Sequence, residues 1–441
     1  MATLPVWVMI LNLTVPAGFD FSQKFMATSG DAVSRITWLY LLGAGVYVLW
    51  RNLARTKVML RWLNPFLLAF IVLAGCSILW SIDPAVSNRR FLRAATMLIT
   101  AIGFTLVGWR PRRFQSLLRA ITMAILVSSI IFIIVDPVDG IHHADQAELK
   151  DAWHGITFGK NILGSFASVG VVLWLHAWLA KEATPLAAVC GMALSAGMLV
   201  MTRSAGSLMA TAFAVVFLLL LLRSPASMKR YMPYFVSAFA TLILIYALAV
   251  LRIVPGMEFL LQPITALTGK DLTFTGRTAI WAILNENIVY HPWFGGGYGA
   301  YWVGPLPQSP SFEMLTRLYF YPSEGHNGYI DVVNDLGFVG GGVLLGFFAS
   351  YIRQAIKMMR FDRDQSALYL TLLFRGFLAD MSESHWFFAL SADWLIMVLA
   401  AACLGRELLQ QRLDQQTAPV DANSGQPLEK VRRMMSTVGR R

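Results

Sequence analysis

The amino-acid sequence predicts an all-α polytopic membrane protein with about twelve transmembrane helices and one large loop. Three observations carry that expectation. The 441 residues are 56% hydrophobic and only 14% charged, whereas soluble domains carry charge on about a quarter of their residues. Apolar runs approaching the length of a spanning helix, about 20 residues, recur along the chain. Lysine and arginine are sorted into alternate connections between those runs, as the retention of basic loops in the cytoplasm requires.

Taken in order, the runs lie near 4–19, 36–50, 64–80, 91–109, 117–135, 161–180, 185–202, 206–222, 233–252, 328–352, 366–382 and 388–405. One alternate set of connections reads "RNLARTKVMLR", "RPRRFQSLLR", Lys181, "RSPASMKR" and "RQAIKMMRFDR". With the tail from Arg406 onward it holds 23 of the 36 Lys and Arg residues. Both termini are therefore expected in the cytoplasm. The net charge of +11 follows membrane topology rather than forming a nucleic-acid footprint. No positive n-region or small-residue cleavage site opens the chain, so no removable signal peptide is expected. The boundaries that result are residues 1–254 for spans one to nine, 255–327 for the large loop, 328–405 for the last three spans, and 406–441 for a basic tail. That tail is polar and is expected to be disordered against anionic headgroups. Cys76, Cys190 and Cys403 lie in apolar runs without metal or disulfide spacing, so a buried role as small hydrophobes is expected.

The loop is too long to be a plain connection, and "TFTGRTAIWAILNENIVYHPWFGGGYGAYW" (273–302) has the look of ordered structure. Thr275 is placed to N-cap a helix running to about Tyr290. Arg277, Trp281, Leu284 and Ile288 share one face of it, as in an amphipathic helix lying on the membrane surface. An arginine in a first turn adds its charge to unpaired N–H groups and a partial positive pole, which makes an anion site. A headgroup anchor is the other reading of Arg277. The glycines of 295–299 read either as a tight turn or as a phosphate cradle.

Arg203 sits in a very short connection, "LVMTRSAGSLMA", where it needs a partner or must snorkel to lipid phosphates. Arg89, Arg90 and Arg93 depart from the positive-inside trend, which suits an anionic partner or a lipid anchor. Lys160 and Asn161 open the sixth span, and "DMSESHW" (380–386) adds further polar groups on the same side. His326 precedes the tenth span with Glu324 and Asn327 beside it. A histidine there is either structural or a base, and Glu324 can orient it. Asp331 and Asp335 follow within the span, placed to bond within the bundle or to support Arg375.

The stretches "WSIDPAVSNRR", "GITFGKNILG", "MTRSAG", "TGRTAIW", "HPWFGGGYGAYW" and "GHNGYIDVVNDLGFVG" occur in this order across about residues 77–345. Together they resemble the O-antigen ligase and polymerase superfamily, and most of all its exopolysaccharide-production polymerases. The resemblance implies an all-helical membrane glycosyltransferase of the GT-C type. Its donor would be an undecaprenyl-diphosphate-linked glycan, used at the periplasmic face of the inner membrane. The acceptor would be a glycan, or lipid A core for a ligase. Membrane lipids are implied as partners, and there is room for flippase and chain-length regulator proteins. No nucleic acid, cofactor or metal is implied. The family's catalytic positions fall on His326, Arg277 and Arg203, and Lys160, Asn161, Arg89, Arg90, Glu324 and Asn327 are expected to line the substrate site.

The chemistry agrees with that assignment. A departing lipid diphosphate gains negative charge that guanidinium forks match, and a sugar hydroxyl gains from a base. In-line attack would invert the anomeric centre. The Gly-rich segments neither follow a parallel strand nor open a Rossmann helix, so a cytoplasmic nucleotide-sugar donor is not expected. A transporter of anionic lipid or solute is the alternative from another class. Transporters bind near the midplane through broken helices in paired halves, and no such pair is evident.

Overall fold

Prolines and short polar side chains set where most of the helices begin. The structure is a computed structural model that describes residues 3–19, 32–143, 150–223, 277–304 and 307–417, with isolated positions between 231 and 241. In chain order the helices are α1 (Leu4–Thr14), α2 (Ala32–Arg51), α3 (Leu53–Trp62), α4 (Pro65–Cys76), α5 (Pro84–Leu106), α6 (Arg113–Val135), a single turn α7 (Pro137–Gly140), α8 (Lys160–Leu179), α9 (Pro185–Met201) and α10 (Ala205–Arg223). Then follow α11 (Arg277–Tyr290), α12 (Phe312–Leu318), α13 (Gly328–Met358), α14 (Arg363–Ala379) and α15 (Ala392–Thr417). Asp83 accepts from the N–H groups of Ala85 and Val86 ahead of Pro84, and Asn64, Thr184 and Asp362 cap α4, α9 and α14 in the same way. These caps satisfy N–H groups that a helix cannot satisfy itself, and proline at the first position costs nothing there.

Every apolar run expected to span, other than 233–252, falls on one of these helices. All but a few isolated positions of the run 233–252, residues 255–276 with the Thr275 cap, and residues 418–441 lie outside the described residues. By length and apolarity α2, α6, α8, α10 and α13 can cross a membrane, and the pair formed by α3 and the stretch from Pro65 to Leu79, bent by 105°, would make a sixth. The protein is thus a multi-pass, all-helical membrane protein, with no strand among the described residues.

α14 is buried all round from Gln365 to Phe377, the mark of a central helix. Around it pack α8, α10, α13 and α15. Phe70 stacks on Phe387 with ring centroids 4.0 Å apart, and Trp394 meets both edge-on.

The structure corrects several expectations. The basic connection 51–61 is mostly helical, as α3, because its Thr56 and Met59 are buried while its charges face outward. Residues 406–417 continue the last helix instead of opening a loose tail, since Leu408 and Leu409 are buried and Arg406 and Arg412 lie over Trp109 and Trp62. Only Cys403 is buried; Cys76 and Cys190 are exposed on apolar helices. The apolar face of α11 turns to protein and not to lipid. Ile280, Trp281, Ile283 and Leu284 pack with Trp302, Met314, Ile330 and Met381.

α13 is broken at Gly337, whose φ is +66°. A Cβ there would lie 2.2 Å from the Trp293 backbone, so only glycine fits. The break frees backbone groups that the 292–297 turn takes up. Phe338 and Val339 donate to Pro292 and Trp293, while Gly296 and Gly297 donate to the carbonyls of Asn334 and Asp335. Gly299 N–H donates to Asp335 Oδ2 at 2.8 Å. The glycines of 295–299 are therefore a turn docked on a broken helix, with three of their N–H groups already committed to α13.

Candidate active site

At one end of the bundle five chain segments converge: the first turn of α8, the α9–α10 connection, the start of α11, residues 324–327 before α13, and the α14–α15 loop. His326 stands among them with a φ of +50°, a region that costs a non-glycine residue about 1–3 kcal/mol and persists only where neighbours enforce it. They do so here. Gly325 N–H donates to Asp331 Oδ2 at 2.9 Å, and Gly325 C=O accepts from Trp281 Nε1 at 2.9 Å. Asn327 N–H donates to Ser384 Oγ at 3.2 Å, and Gly328 N–H to the carbonyls of Asp380 and Glu383.

Held in this way, His326 Nδ1 lies 3.4 Å from Glu324 Oε1 and 3.6 Å from Glu383 Oε2. Arg277 Nη2 lies 3.4 Å from Glu383 Oε1, and Asn161 Nδ2 donates to the same oxygen at 2.7 Å. Glu383 thus joins the base candidate to the arginine. Burial alone would favour its neutral form, but His326 and Arg277 outweigh that and hold its carboxyl well below the usual carboxylate range. The side chains of His326, Glu324, Glu383 and Arg277 are between 16% and 26% exposed, sheltered yet open to a ligand.

The other expected residues are distributed as follows. Asn161 is in the cluster, and its Oδ1 accepts from Ser204 Oγ at 3.0 Å. Lys160 precedes it at the start of α8. Arg203 is next to Ser204 in the chain, but its guanidinium points elsewhere. It donates to Lys150 C=O at 2.7 Å, lies 4.0 Å from Asp151, and is 53% exposed. Asn327 is buried, and its side chain caps α13 by accepting from the N–H groups of Tyr329 and Ile330. Arg89 is exposed on α5. Arg90 is buried beneath the glycine turn, donating to Trp302 C=O at 3.3 Å with Phe388 over its guanidinium. Arg90 is therefore committed beneath the glycine turn and not to the His326 cluster. The buried acids also find partners: Asp331 takes Gly325, Trp302 and Ser384, and Asp335 takes Gly299. Neither supports Arg375, which pairs with Asp393 and Ser165.

Glu383 was not singled out by sequence reasoning. It lies in "DMSESHW", a polar knot between two apolar runs on the same side as His326, and that position was its only signal. Glu324, His326 and Glu383 offer one ligand atom each within 4.8 Å of one another, donor types that divalent cations accept. Arg277 already supplies a positive charge to that carboxylate. The arrangement can take a proton at the imidazole and meet an anion at the guanidinium.

Residues 190–345 match the family model described as O-antigen ligase (Wzy_C), a stretch that contains Arg203, Arg277 and His326. The chain is also similar to the exopolysaccharide production protein ExoQ of Rhizobium meliloti (strain 1021). The two are 26% identical over 322 residues, covering 69% of this chain and 68% of that one. Both findings support the resemblance to the O-antigen ligase and polymerase superfamily and its ExoQ-like branch, and with it a ligase- or polymerase-type membrane enzyme.

Proposed function

We propose that this chain is an inner-membrane glycosyltransferase that polymerises exopolysaccharide or O-antigen repeat units. It would transfer an undecaprenyl-diphosphate-linked oligosaccharide to a sugar hydroxyl at the periplasmic face. The observation that carries this reading is the sharing of Glu383 by His326 and Arg277, at the mouth of a membrane helix. In the proposed step the acceptor hydroxyl oxygen attacks the anomeric carbon as His326 takes its proton. The bond from that carbon to the diphosphate oxygen breaks, the electron pair leaves with undecaprenyl diphosphate, and the centre inverts. With Nδ1 directed at two carboxylates, Nε2 is the proton acceptor. Arg277 faces the diphosphate, whose growing charge a guanidinium meets with two parallel hydrogen bonds. Arg203 leaves its perch on Lys150 and Asp151 to take the second phosphate. About twelve spans with both termini cytoplasmic would put this centre outside.

The reaction needs no metal on this reading, because fixed guanidinium charge does the work of a cation at the leaving group. Chelator-washed enzyme is expected to keep the wild-type rate, and a rate restored only by added divalent cation would reverse that part. The match to a model described as O-antigen ligase favours a second reading, transfer of a finished lipid-linked chain to lipid A core. One experiment separates the two and tests the site. In cells making a known lipid-linked repeat, Arg277→Ala and His326→Ala are expected to accumulate single undecaprenyl-linked repeats without chains. Long lipid-linked chains left unattached to lipid A would mean a ligase. Wild-type product from both variants would remove the site.

A further inference from the structure

His326 and Glu383 come from different loops, and their useful relation depends on something that holds both. We infer that Asp331 is the positioning residue that fixes His326 against Glu383, by clamping both flanks of the histidine and the residue next to the glutamate to one carboxylate. The inference rests on the proposed reaction, in which His326 is the base.

The geometry is direct. Asp331 Oδ2 accepts from Gly325 N–H at 2.9 Å, which ties the residue before His326. The same oxygen accepts from Ser384 Oγ at 2.5 Å, and Ser384 Oγ accepts from Asn327 N–H at 3.2 Å, which ties the residue after His326. Ser384 is also the chain neighbour of Glu383. The second oxygen, Oδ1, accepts from Trp302 Nε1 at 2.9 Å and so holds the whole carboxylate in place. Asp331 sits one turn into α13 and is nearly buried, so the group that grips both loops is itself anchored to a helix. A carboxylate accepts all three of these bonds without offering a donor, whereas an amide of the same shape must turn an NH2 toward groups that donate. The strained backbone of His326 is what such a clamp would be needed to maintain. A residue that orients a base through another group changes the rate of the chemical step more than the binding of substrate, and small displacements of a base are costly.

The test uses the full chain in lipid nanodiscs, with single lipid-linked repeats extracted from a strain lacking this activity as the probe. Asp331→Asn and Ser384→Ala are each expected to lower kcat by about tenfold or more, to leave the donor KM within about twofold, and to displace the pH profile of kcat. Tyr329→Phe is the control. It removes a partly buried hydrogen bond to Phe377 C=O in the same turn of α13 without touching the clamp, and is expected to lower the melting temperature with the pH profile unmoved. Where Asp331→Asn does not fold, Ser384→Ala decides alone. Wild-type kcat and pH profile in a folded clamp variant would overturn the inference while leaving the proposed reaction intact. Full activity in His326→Ala would instead remove the reaction on which it rests.

Discussion

Glu383 ties the cluster together, and its charge state gives a prediction at the scale of one residue. Its carboxyl is held below the ordinary carboxylate range, so it contributes stability that is fully present above about pH 4.3 and is lost as the pH falls through its depressed value. The difference in melting temperature between wild type and Glu383→Gln is therefore expected to narrow as the solution is taken below about pH 4.3. A difference that holds or grows below that pH would show that Glu383 is not held ionised by its neighbours. Residues of this kind are only half legible in a sequence. His326 and Arg277 could be read because an imidazole at a membrane entrance and an arginine at a helix start each have few inexpensive explanations. Glu383 could not, because what joins it to the cluster is the approach of Arg277, Asn161 and His326 from three distant segments. Arg203 was legible as a charge needing a partner, but the partner, the 150–151 turn, is visible only in the folded chain.

At the scale of elements the same contrast holds. Helix starts announce themselves through local chemistry, as with Asp83 before Pro84 and Asn327 before α13. What an apolar face covers does not, because that depends on distant residues. The stripe on α11 suited lipid, but Trp281 found the carbonyl of Gly325 and its neighbours found Trp302 and Met314. α3 was hidden by its own lysine and arginines, which read as a loop although they are one exposed side of a short helix. The break at Gly337 makes the clearest test at this scale. Gly337→Ala places a Cβ against Trp293 in a left-handed backbone and is expected to cost about 1–3 kcal/mol in detergent unfolding. Gly342→Ala, farther along α13 with open space around it, is expected to be neutral or to stabilise by up to about 1 kcal/mol. Equal effects of the two would mean that the glycine turn does not dock on the break.

For the whole molecule, apolar runs and the sorting of basic residues were enough to read an all-helical, multi-pass architecture. The runs mark helices faithfully because lipid and a helical core both demand apolar side chains. They separate the two poorly, as α14 shows: an apolar run marks it, yet it is the buried centre of the bundle. The site was legible as a set of polar groups on one side of the chain, not as a geometry. The most direct measurement is a single-turnover assay with purified enzyme in nanodiscs and a polyprenyl-diphosphate-linked repeat, following release of free polyprenyl diphosphate. Wild type is expected to release it, and His326→Ala to do so at least about a hundredfold more slowly with the donor still bound. Arg277→Ala is expected to lose both binding and release. Release at the wild-type rate from either variant would contradict the roles proposed for His326 and Arg277.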